Sequence, residues 1–220
     1  KLNAVKIMLD GIPATGTAYM RRPYKHMPET CGSTLITEEE LKEIVLRAQK
    51  YHWQVAIHTV GNKAADVALA AFQHADQISP VYENRHYLIH HPWPCSDQFE
   101  IMRRLNVGVA VQPTIYHVMG ETAILHEDMA HQFFPCKTYF DERIIIGGSS
   151  DSPVGILNPF LGMYVAVTRK NAQGEVWGEW ERITPIQALI MWTKNAAFFS
   201  HDDKKIGSIE VGNLADMVVV

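Results

Sequence analysis

The sequence predicts an α/β protein built on a parallel sheet, on three observations. Apolar, β-rich runs alternate with helical patterns, the signature of βα units rather than of a sandwich. The strand candidates are continuous apolar runs instead of alternating ones, as expected when both faces of a sheet are covered. The chain has 220 residues and is 47% apolar, enough for one large domain or for a domain plus a fragment, about 150 residues being the usual unit.

The first strand candidate covers residues 5–9. Thr37-Glu38-Glu39-Glu40 is a capping box, and Leu41, Ile44, Val45 and Ala48 follow at helical spacing. A second strand at 55–58 leads into a helix over 64–75. A third strand at 87–90 precedes a helix at 96–105 with Ser96 as its cap. Strands at 107–111 and 144–147 follow, the last leading to a helix over 158–169. Thr184-Pro185 opens a further helix with a cap and an N1 proline, carrying Ile186, Leu189, Ile190 and Thr193 on one face. Two stretches break the rhythm. Residues 116–139 form an irregular insertion placed over one end of the sheet, and residues 173–182, with Trp177 and Trp180, form a second, whose tryptophans read as a hydrophobic staple.

Lys and Arg number 20 against 24 Asp and Glu, a net charge of −4. That balance lacks the basic footprint of a nucleic-acid or anionic-membrane binder. Cys31, Cys95 and Cys136 form no CxxC pair and read as packing residues in a reducing, cytoplasmic setting. No apolar run approaches the roughly 20 residues of a spanning helix, and no signal-peptide pattern opens the chain. A small molecule is the expected partner. Both ends run into apolar strands, so a longer chain is expected.

In a parallel α/β fold the loops at the C-terminal ends of the strands form the crevice where functional side chains collect. The first strand carries Lys6 in an apolar run, the second ends at His58, the third at His90-His91, and the fifth leads to Asp151. Neutral imidazoles are common zinc ligands, and carboxylates complete such sites. A lysine within a sheet resists burial as an ammonium, and as a carbamate it supplies a bridging pair of anionic oxygens. Asp151 beside an activated water could take its proton and pass it to a leaving nitrogen. That combination is hydrolysis.

Several motifs occur in order: Val5-Lys6-Ile7 with Asp10-Gly11, Val55-Ala56-Ile57-His58 with Gly61, Arg85-His86 with His90, Val111-Gln112-Pro113, Ser150-Asp151-Ser152-Pro153-Val154, Ala166-Val167-Thr168-Arg169, and Gly212-Asn213-Leu214-Ala215-Asp216. Together they resemble the amidohydrolase superfamily, in the family-three branch that contains N-substituted formamide deformylases. The resemblance implies a (β/α)8 TIM barrel of which this chain is the C-terminal five or so βα units. Residues 1–205 would belong to the barrel and 206–220 would return to a small β-sandwich. It implies a divalent metal, usually zinc, as one or two ions. Lys6 would be the carbamylated bridging lysine, His58 and His90 metal ligands, and Asp151 a ligand and proton shuttle. His90 is preferred to His91 by its spacing from His86. Arg85, His86, Gln112 and Arg169 match positions near the substrate, and His117 falls between substrate contact and packing within the insertion.

The departures are specific. The His-x-His pair with which the family's first strand begins is not found upstream of Lys6, Asn62 stands where an Asp is usual, and Ile89 where a Glu is usual. His52, His74, His126, His131 and His201 are read as solvated. The expected function is metal-dependent hydrolysis of a C–N bond in a small amide, formamide or cyclic amide. The alternative is a non-catalytic half-barrel or assembly subunit, whose open strand edges a second copy or an N-terminal segment would cover. A doubly wound binder is a third reading, weakened because no Gly-rich phosphate loop follows the first strand.

Overall fold

Parallel pairing orders everything else in the computed structural model, which describes residues 4–118, 129 and 132–219. Five strands, β1 (Ala4–Met8), β2 (Gln54–Thr59), β3 (Tyr87–His90), β4 (Gly108–Val111) and β5 (Ile146–Gly148), lie side by side in sequence order, each parallel to the next. Register aligns Ile7, Ile57, Leu88, Val109 and Ile146 in one row across the sheet, and all five are buried. Because parallel crossovers are right-handed and the strand order never reverses, the helices collect on one face. The doubly wound alternative is thereby excluded, since such a fold needs a switch point in its strand order.

The helices are α1 (Glu38–Lys50), α2 (Asn62–Ile78), α3 (Ser96–Leu105), α4 (Pro113–Val118), α5 (Cys136–Asp141), α6 (Pro159–Thr168), α7 (Pro185–Trp192) and α8 (Lys194–Phe199). Helix α1 starts at the expected capping box: the Glu40 N–H donates to Thr37 Oγ1, and the Thr37 N–H to Glu40 Oε2. The cap of α3 is Cys95 rather than Ser96, because the Gln98 side chain accepts the Cys95 N–H at 2.8 Å. Asn158 caps α6 through two backbone N–H groups. Thr184 caps α7, which is separated from α8 at Thr193, where φ is −119° and ψ −88°.

Two features bring the loop after β1 over the sheet end. Tyr19 O accepts the N–H groups of Lys63 and Ala64 at the first turn of α2, both at 3.0 Å. A Cβ on Gly61 would stand 2.0 Å from that same oxygen, so the approach requires glycine. Part of the 116–139 insertion, residues 119–128, 130 and 131, lies outside the described residues, with His126 and His131 in it. Residues 201–219 contain neither helix nor strand, and Ile209 and Val211 stand exposed. No helix among the described residues is long and apolar enough to cross a membrane.

Arg85 and His86, expected near the substrate, sit at the opposite end of the sheet, just before β3 begins. Arg85 is paired with Asp203 at 2.6 Å and lies 4.2 Å over the Phe198 ring, which ties the end of α8 to the sheet. His86 accepts the Val55 N–H on Nδ1 at 3.0 Å and stacks on Phe72. Its neighbours are the core, and burial pushes its pKa down to about 4.

Burial likewise pushes His91 down to about 3. Below about pH 6.5 the unfolded chain takes up protons on these two residues and the folded chain does not. Stability is therefore expected to fall as pH drops from about 6.5 towards 4, each unit of depression being worth about 1.4 kcal/mol. Denaturant midpoints measured from pH 7.5 to 4.5 should decline through this window, and the decline should be shallower in His86→Gln. A flat profile for both proteins would contradict the assignment.

Candidate active site

The C-terminal end of the sheet is organised around a carboxylate that no motif marked as functional. Asp10, two residues beyond β1, has 0% of its surface exposed. Its Oδ2 accepts the N–H groups of Gly61 at 2.7 Å and Tyr19 at 3.0 Å, and its Oδ1 accepts that of Val60 at 3.0 Å. Oδ1 also lies 3.1 Å from His58 Nδ1. A carboxylate offers only lone pairs, so His58 Nδ1 carries the proton and Nε2 the free pair. The signal available in the sequence was an acid immediately after an apolar strand and before a glycine.

His90 is fixed by the same logic. In register it pairs with Thr59 rather than His58, so strict alternation would aim it at the other face of the sheet. Its backbone is left-handed, with φ at 74°, which takes it off the alternation. The two imidazoles end edge to face, 4.7 Å between centroids. Gln112 Oε1 lies 2.7 Å from His90 Nδ1, while Gln112 Nε2 donates to Ala110 O and Ser149 Oγ. Those two bonds fix the amide orientation, so its oxygen accepts and His90 also presents Nε2. Burial, and then the neighbouring His58, pushes the His90 pKa down to about 4, which keeps the ring neutral at physiological pH. Gln112, expected to touch substrate, instead orients His90.

Lys6, His58, His90 and Asp151 all line one cavity of about 480 Å³. Burial lowers the pKa of Lys6, and Asp151 partly opposes that shift. Asp151 has a left-handed backbone, with φ at 54°, and its carbonyl accepts the Val154 N–H at 2.8 Å. The other lining residues are apolar, among them Met8, Val60, Trp93, Ile115, Phe133 and Phe134. Of the insertion's described residues, Phe133 and Phe134 reach this end of the sheet, where the insertion was expected.

Two expected substrate contacts lie elsewhere. Arg169 is only 2% exposed and donates to the carbonyls of Phe133, Phe134 and Trp177. His117 is half-buried beside Lys170 O and does not line the cavity. His91 is buried under Tyr139, whose hydroxyl donates to its carbonyl. Among the described residues no three His, Cys, Asp or Glu side chains stand together as a metal cage. What the chain offers a cation is the pair of Nε2 atoms, with Lys6 and Asp151 on the same cavity. The pre-oriented pair fits the requirements of an imidazole-ligated divalent ion.

The sequence model described as "Amidohydrolase family" matches residues 1–220. The Bacillus subtilis protein YtcJ is 28% identical over 226 residues, covering 100% of this chain and 42% of its own. An N-substituted formamide deformylase of Arthrobacter pascens is 28% identical over 195 residues, covering 86% of this chain and 35% of its own. The chain therefore spans less than half the length of these relatives. The crystal structure of an uncharacterized metal-dependent hydrolase from Pyrococcus horikoshii superposes with a TM-score of 0.85 at 28% identity, over 97% of this chain and 43% of that one. The parallel sheet and its helices are a portion of a (β/α)8 barrel hydrolase fold, the fold that the motif order implied.

Asp10→Asn is expected to lower stability by about 2–4 kcal/mol, because the amide must turn an N–H₂ towards at least one buried donor, at roughly 1–3 kcal/mol each. Chemical denaturation measures it. A loss below about 1 kcal/mol would show that the four bonds to Asp10 do not hold this end of the sheet together.

Proposed function

This chain belongs to the amidohydrolase family, and from that premise we propose that it forms the ligand-bearing half of a metal-dependent hydrolase that cleaves a C–N bond in a small amide, formamide or cyclic amide. The observation that carries the reading is the convergence of Lys6, His58, His90 and Asp151 on one cavity, with both rings presenting Nε2. The names of the relatives, an N-substituted formamide deformylase among them, support the bond type.

His58 and His90 would hold the ion, zinc by the preference of imidazole ligands, with Lys6 as the candidate for a bridging carbamate and Asp151 as a further oxygen donor. A bound divalent ion supplies Lewis acidity, polarising the carbonyl and bringing the pKa of water near neutrality. The chain's residues do the rest. Asp10 and Gln112 keep the rings from rotating, so the nitrogens stay aimed at the cavity without reorganisation. Asp151 accepts the proton of the attacking water and returns it to the leaving nitrogen, which must depart as a neutral amine. The apolar walls exclude bulk water, which strengthens each charge interaction inside.

A second reading, a non-catalytic subunit, draws on the absence of a three-residue cage among the described residues. Metal content separates the two. The intact gene product should carry close to stoichiometric zinc by elemental analysis, lost in His58→Ala and in His90→Ala. Asp151→Asn should lower kcat for amide hydrolysis by roughly 10²–10⁴, the usual worth of a positioned acid–base group. A folded protein that binds no divalent metal would favour the subunit.

A further inference from the structure

His90 reaches the cavity through its backbone. Two consecutive residues at the end of β3 are left-handed, His90 with φ at 74° and His91 with φ at 40°, although a Cβ makes that region uphill and chains visit it mostly one residue at a time. Such a turn persists where its surroundings hold it. Gln112, 2.7 Å from Nδ1, fixes the rotation of the His90 ring and not the chain that carries it.

That chain is held from two sides. On the sheet, the His91 N–H donates to Thr59 O at 2.8 Å and to Ile89 O at 3.2 Å. Pro92 follows and has no N–H to add. From the insertion, one short segment takes two successive carbonyls: the Tyr139 hydroxyl donates to His91 O at 2.6 Å, and the Phe134 N–H to Pro92 O at 2.9 Å. Any residue but proline at 134 supplies the second bond. The first exists only because residue 139 is a tyrosine.

Tyr139 is itself firmly placed. It is fully buried, and its ring meets Phe99 edge to face at 6.0 Å. Burial pushes its pKa well above the ordinary phenol value, so the donor proton stays. Its helix, α5, is tied to the 173–182 stretch: the buried Glu181 carboxylate accepts the Thr138 N–H at 2.9 Å and the Thr138 hydroxyl at 2.6 Å.

We propose that Tyr139 is a positioning residue for His90: its hydroxyl, through the His91 carbonyl, holds the left-handed turn that keeps the His90 imidazole on the cavity, so that a divalent ion meets a ligand already in place. The inference rests on the hydrolase reading for the ion, and on the geometry alone for the ring. Without that bond the turn gains access to extended backbone, in which strict alternation carries the ring to the other face of the sheet. Affinity for the ion then falls with the fraction of chains left in the competent form.

Tyr139→Phe removes the hydroxyl and keeps the ring. On the intact gene product, stripped of metal, zinc affinity measured by competition with a chromogenic chelator should weaken about 10–100-fold, the usual worth of a group that supports a metal ligand. Tyr116→Phe is the control, because Tyr116 is also buried and its hydroxyl also donates to a carbonyl, that of Arg169 at 2.9 Å. It should lower the denaturation midpoint and leave zinc affinity unchanged. Histidine-selective ¹⁵N spectra of the metal-free protein read the ring directly: His90 should show a single Nδ1–H tautomer in the wild type and averaged nitrogens in Tyr139→Phe. If Tyr139→Phe does not fold, Glu181→Gln, which leaves one Thr138 donor without its acceptor and loosens α5, should move both readouts in the same direction. Unchanged His90 signals in Tyr139→Phe, tight zinc binding that this variant retains, or an equal loss of affinity in Tyr116→Phe would overturn the inference; the second of these would leave the hydrolase reading intact. His90 signals that depend on Tyr139 in a protein that binds no zinc would sink the hydrolase reading and leave the positioning role standing.

Discussion

One buried carboxylate sets the geometry on which the candidate site depends. Asp10 gathers four donors from the end of β2, the turn into α2 and the loop after β1. Burying an anion is costly unless its lone pairs are filled, and here each oxygen accepts two bonds. The same bonds that satisfy the charge determine which nitrogen His58 presents, and they draw Tyr19 onto the start of α2. Stability and site geometry are therefore the same interaction seen from two sides. The register of β1 on β2 is coupled to the orientation of the imidazole.

The two ends of the sheet use similar side chains for opposite purposes. At the end where the strands begin, Arg85 and His86 meet Asp203, Phe198, Val55 and Phe72 and close the core. At the end where the strands finish, His58 and His90 keep one nitrogen for the cavity. His86 and His90 are both depressed to about 4 by burial, so perturbation alone does not separate them. What separates them is the part Nδ1 plays, acceptor in one and donor in the other, and where the ring lies, against Phe72 in the core or on the cavity. His86 accepts a backbone N–H on Nδ1, whereas His90 offers Nδ1 to an amide oxygen and retains Nε2.

This contrast explains how much of the molecule was legible in the sequence. Continuous apolar strands and capping boxes are local signals, so the five strands and the helices beginning at Thr37 and Thr184 were readable. The convergence of Lys6, His58, His90 and Asp151 on one cavity followed from a rule about strand ends. The roles of Gln112, Arg169, Arg85 and His86 were not readable, because proximity in a motif does not say whether a donor meets a ligand or a carbonyl. Arg169 looked available as a charge, and it is enclosed by Phe133, Phe134 and Trp177. Asp10, quoted with Gly11 in the motif order, was given no role for the converse reason: its partners are mostly backbone N–H groups, which leave no trace in residue identity.

Two imidazoles held at the edge of an apolar core make a consistent chemical environment. The edge-to-face contact of His58 and His90 at 4.7 Å would be repulsive if both rings were charged, and the burial that keeps His90 neutral also strips water from the cavity. Low polarity raises the strength of any charge interaction that is made there and the cost of any that is not. A site of this kind concentrates its polar capability on the few atoms at the strand ends.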